Sequence, residues 1–81
     1  MQTNFKLATL ILLSSKRAPV FTTPLCIEYK TAPKVGKAFM FRRFGHDFDT
    51  CNLSITRRVV RYRGFKIICT LNSYYALLTH E

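Results

Sequence analysis

The sequence predicts an α+β fold: a small antiparallel sheet of about four strands, with an N-terminal helix (or an extra strand) and a short C-terminal helix. Three observations carry that expectation. Apolar and polar residues alternate with a period of two through the middle of the chain. Arg63-Gly64 separates two apolar runs by two residues, the spacing of a tight hairpin. Asn72-Ser73, both favoured at helix N-caps, stand immediately before an apolar tail. At 81 residues the chain has room for a single domain, 1–81.

The N-terminal element is the least decided. Leu7, Leu10, Ile11 and Ser14 would share one helical face, but Ala8, Leu12 and Leu13 fill the rest. A helix apolar all round must be buried. Length and the scarcity of β-branched residues tilt the reading to a helix, with a strand over 4–13 close behind. The apolar run 7–13 is too short to cross a membrane as a helix. Its acid-free, Ser/Thr-rich setting with Lys6, Lys16 and Arg17 also has the character of a targeting segment or a membrane-surface segment over 5–17.

Pro19, Pro24 and Pro33 exclude helix from 18 to 34 and make that stretch extended or turning. Leu25, Ile27 and Tyr29 alternate with Cys26, Glu28 and Lys30, a strand over 25–31. An aromatic-rich strand follows over 37–44. Gly45-His46-Asp47-Phe48-Asp49 has turn chemistry. Cys51, Leu53 and Ile55 alternate next, but Val60 and Tyr62 lie in the opposite phase. A β-bulge at Thr56–Arg58 accounts for the slip inside one strand over 50–62, since no turn residue stands there. The hairpin at Arg63-Gly64 pairs Tyr62 with Phe65, Arg61 with Lys66 and Val60 with Ile67, which begins a strand over 65–71. A helix over 74–80 would pack Leu77 or Leu78 on the sheet.

Function is read mainly from charge. Thirteen Lys+Arg against four Asp+Glu give +9, and 48% of the chain is apolar. So much like charge on a small body is destabilising unless an anionic partner offsets it. Ten of the thirteen cations lie between Lys30 and Lys66, interleaved with aromatics. A basic sheet face with aromatics can follow phosphates and stack bases. The first expectation is therefore a non-enzymatic binder of RNA or DNA. Its phosphate contacts would come from Arg42, Arg43, Arg57, Arg58, Arg61, Arg63 and Lys66, arginine being suited to phosphate forks. That expectation needs the hairpin to collect these cations on one plane, with their apolar neighbours beneath. The alternative is a small subunit of a protein assembly that docks on an acidic protein surface. The high apolar fraction favours it, because one small core can hardly hide so much.

Gly36-Lys37-Ala38-Phe39-Met40-Phe41 partly resembles the aromatic strand motif of RNA-recognition motif domains. Gly36, Ala38 and Phe39 match, whereas Lys37 stands at one expected aromatic position and Arg42 at another. Core packing of these aromatics is the preferred reading. His46, Asp49 and Cys51, with Cys26, Cys69 or His80, lack the spacing of a metal site, so no metal or cofactor is expected. Asp47 and Asp49 share one turn and form no acid–base pair across a pocket. The odd count of three cysteines indicates buried thiols in a reducing, cytoplasmic compartment.

Overall fold

The computed structural model describes residues 5–18, 23–45 and 50–80. Six strands follow one another: β1 (Lys6–Ser15), β2 (Leu25–Tyr29), β3 (Ala38–Arg43), β4 (Thr50–Tyr62), β5 (Phe65–Thr70) and β6 (Ser73–Thr79). Each pairs antiparallel with the next, and β6 returns to β1, so the sheet closes into a barrel. The α+β expectation is thereby overturned. The described residues contain no helix, and the strands number six rather than about four.

At the N-terminus the structure takes the strand alternative, and the expected C-terminal helix is replaced by a strand. In β1 the alternation puts Ala8 and Leu10 inside, each fully buried, and leaves Leu7, Thr9 and Ile11 half-exposed. A strand can bury one row of this apolar run and lay the other on the outer surface; a helix would need burial on every side. At the other end, Asn72-Ser73 act in a turn instead of a cap. Thr70 Oγ1 donates to Ser73 O (3.2 Å) and accepts from Ser73 N (3.1 Å), which reverses the chain between β5 and β6. Residues that cap helices are the same ones that close turns, so the local signal serves either state. The β1–β6 pairing settles it: Leu10 opposes Leu77 and Ala8 opposes Thr79. The Ser15 and Ser73 hydroxyls meet at 2.9 Å, and Lys16 N donates to Asn72 O at 2.8 Å.

The central strands match their expected spans to within two residues. The β4–β5 register is the expected one, with Tyr62 opposite Phe65, Arg61 opposite Lys66 and Val60 opposite Ile67. Gly64 has φ +86°, the left-handed conformation a two-residue turn requires. The pairing slips between Thr56 and Arg58, where the bulge was expected. The turn expected over 45–49 lies mostly outside the described residues, apart from Gly45.

The core is a packed interior. Leu10, Ile27, Phe39, Phe41, Leu53, Ile68 and Leu77 fill it. Phe39 packs edge-on against Tyr29 (centroids 5.4 Å apart) and stacks with Phe41 (5.7 Å). Phe39 and Phe41 are each 2% exposed, so the aromatic strand motif serves packing and offers no ring to a base.

Thr56 is the most deeply buried of three buried polar residues, the others being Thr70 and Ser73. Its residue is 1% exposed, and Oγ1 has no hydrogen-bond partner. Its backbone is fully used: Thr56 N donates to Lys37 O (3.0 Å) and Thr56 O accepts from Gly36 N (2.9 Å). Thr56→Val keeps those bonds and the side-chain shape while removing the orphaned hydroxyl. It is expected to stabilise the protein by about 1–2 kcal/mol, read as a higher urea midpoint at unchanged slope. A lower midpoint would show that the hydroxyl is satisfied in solution.

Candidate partner-docking surface

The bulge decides which way β4 faces. Two residues there oppose one on β5, so Thr56 turns inward opposite Thr70 while Arg58 turns outward opposite Cys69. Arg57 and Arg58 are consequently neighbours that both stand exposed. Beyond the bulge, Val59 lies opposite Ile68, which is fully buried, and Val60 opposite Ile67.

Continuing those pairs across the barrel wall gives three outward rows. Tyr62 lies beside Phe65, then Leu78, then Thr9. Val60 lies beside Ile67, Ala76 and Ile11. Arg58 lies beside Cys69 and Tyr74. The outer wall over β4, β5, β6 and β1 is therefore largely apolar. The Tyr62 and Phe65 rings stack at 4.8 Å and 15°, and Tyr62 remains 55% exposed. Tyr74 at 54% and Leu71 at 64% flank a shallow groove of about 540 Å³ whose other walls include Arg57, Arg58 and Tyr62.

The seven expected cations do not form one plane. Arg57 and Arg58 sit together at the bulge. Arg61 and Lys66 pair on the opposite side of the hairpin, the side that carries Ile68 into the core. Arg63 is exposed in the turn. Arg42 and Arg43 are on β3; Arg42 opposes Thr50, seven residues before Arg57 and thus ~23 Å along an extended β4. Arg42 is moreover engaged. Its Nε donates to Glu28 Oε1 at 3.0 Å, and its Cζ lies 3.9 Å from the centre of the Phe5 ring. Arg43 is half-buried opposite Ile27, with Nε buried and unpartnered. The hairpin's sense is also opposite to the expected one. Its apolar side Val60, Tyr62, Phe65, Ile67 points out of the barrel, and its Arg61–Lys66 side shares the face that points in.

Arg42–Glu28 is the one ion pair among the described residues. Glu28 is also the one acid among them, since Asp47, Asp49 and Glu81 lie outside. The arginines around the apolar wall thus face no described carboxylate of their own chain. His46 and Asp49, raised as metal ligands, fall outside the described residues. Among the described residues no three His, Cys, Asp or Glu side chains gather at one point. No described helix is long and apolar enough to cross a membrane. Cys26 is exposed while Cys51 and Cys69 are half-buried, and all three are free thiols, so none of them is fully buried as expected.

Two features escaped the sequence. The outward apolar rows were hidden because apolar alternation reports a face without saying which side of it is water. Lys30, Lys34 and Lys37, grouped around a cavity described below, lie in a loop, where no periodicity marks a shared face. No family model, no curated protein and no solved structure matches the chain.

Proposed function

We propose that the protein is a non-enzymatic subunit of a larger protein assembly, docking through the outer wall of β4, β5, β6 and β1 on an acidic partner protein. The observation that carries this reading is the run of outward apolar rows centred on the stacked Tyr62–Phe65 pair and rimmed by Arg57, Arg58 and Arg63. Apolar centres with tyrosine and arginine anchors are the usual composition of binding hot spots. A second copy of this chain is a poor occupant, because two such rims would bring arginines against arginines at +9 each. An acidic partner supplies the missing carboxylates. The RNA or DNA reading keeps the charge argument but lost its geometric support when the cations fell into separate groups.

Nuclease treatment separates the two. Tagged protein sized from native cell extract is expected to run well above its monomer mass, and to stay there after exhaustive RNase and DNase digestion. Tyr62→Ala with Phe65→Ala is expected to return it to monomer size. A complex that nuclease dissolves would replace this proposal with the polynucleotide one.

A further inference from the structure

We propose that the cleft between β3 and the 30–37 loop is a second binding site, for a phosphate-bearing molecule with a planar apolar body, of the class of a nucleoside diphosphate. It exists because β2 and β3 pair only at Ile27↔Arg43 and Glu28↔Arg42, and the chain then leaves the sheet. The opening holds a cavity of about 480 Å³, within the range of small-ligand pockets (roughly 300–1,000 Å³).

Its lining is chemically one-sided. Lys30, Lys34, Lys37 and Arg42 border it against the single carboxylate of Glu28, so four positive charges less one negative leave three. A diphosphate ester carries roughly three negative charges at neutral pH. The Phe5 ring forms an apolar wall, already drawing Arg42 at 3.9 Å and the Lys30 ammonium at 5.2 Å from its centre. Exposed Met40 lies on the same cavity. A planar ring has apolar and π surface to rest on there, within reach of the ammonium groups that would hold its phosphates.

The loop that carries the lysines is fixed in place. Pro33 is fully buried, Lys37 N donates to Lys34 O (3.2 Å), and Gly36 and Lys37 are tied to Thr56 by the two backbone bonds given above. Cations held on an anchored loop lose less freedom on binding than cations on a loose one. Among the described residues no carboxylate pairs with Lys34 or Lys37, so repulsion among the three lysines is relieved once the anion arrives. The site shares no residue with the three outward rows of the docking wall, so it stands independently of the docking reading.

Titration calorimetry at low salt with ADP, pyrophosphate and adenosine tests the proposal. ADP is expected to bind at least tenfold more tightly than either fragment. Lys34→Glu with Lys37→Glu, both exposed loop positions, is expected to weaken ADP at least tenfold with unchanged thermal unfolding. Arg57→Glu with Arg58→Glu is expected to leave ADP affinity as it was. Displacement of ADP by a 5′-phosphorylated tetranucleotide but not by its 5′-hydroxyl form would identify a strand end as the source of the group; no displacement by either would identify a free nucleotide. Absence of ADP binding at millimolar concentration, or binding that ignores the lysine reversals, overturns the proposal.

Discussion

Phe39→Ala is expected to abolish the folded state at room temperature. The ring is 2% exposed and touches both Tyr29 and Phe41, so its removal opens a hole where three aromatic rings meet. Truncations of this kind cost about 3–5 kcal/mol. A single small core supplies a net stability of the same size, roughly 3–5 kcal/mol. The variant should lose the cooperative urea transition and the dispersed methyl and amide resonances of the wild type. A cooperative transition with a midpoint close to wild type would mean that neighbouring rings refill the space.

Arg57→Glu with Arg58→Glu is expected to cut affinity for the assembly at least 100-fold while the barrel stays folded. Both side chains are exposed, and the bulge that presents them depends on backbone pairing rather than on their charge. Each reversal replaces an attraction to the acidic partner with a repulsion, and like charges set against each other at an interface cost several kcal/mol. The check is displacement: excess purified wild-type protein should release the tagged subunit from its assembly, whereas the double variant at the same concentration should not. Equal displacement would remove the arginine rim from the docking account.

The strand interiors were legible because Leu25–Ile27–Tyr29 and Cys51–Leu53 keep a strict period of two, and because a phase reversal within one run has few remedies besides a bulge. Gly64 between Tyr62 and Phe65 defined a register that needs no distant information. The termini were not legible. Leu10 opposite Leu77 and Ala8 opposite Thr79 join residues about seventy positions apart, and no local pattern reports such a pair. The segment from Leu7 to Leu13 has no polar phase at all, and Ser73 closes a turn as readily as it caps a helix.

The candidate site was legible by composition and not by geometry. Arg57 and Arg58, expected as phosphate contacts, stand exposed. Their separation from Arg42, and the engagement of Arg42 with Glu28 and Phe5, follow from pairings on β3 that the sequence does not encode locally. The rule that an apolar face is an inner face failed at Val60, Tyr62, Phe65 and Ile67. On a barrel with a thin interior, both sides of β5 are partly apolar, and the bulge alone selects which side is core.

Closure of the wall between β1 and β6 limits the ways this molecule can associate. An open sheet offers unpaired amide and carbonyl groups at its rim, and a foreign chain can zip onto them by β-augmentation or seed a fibril. Along the β1–β6 seam those groups are consumed, from Ala8–Thr79 to Ser15–Ser73. A partner seated on that seam must therefore be recognised by side chains, which makes recognition sensitive to single substitutions. The same closure removes one open edge from a chain that is nearly half apolar and carries greasy strands outside.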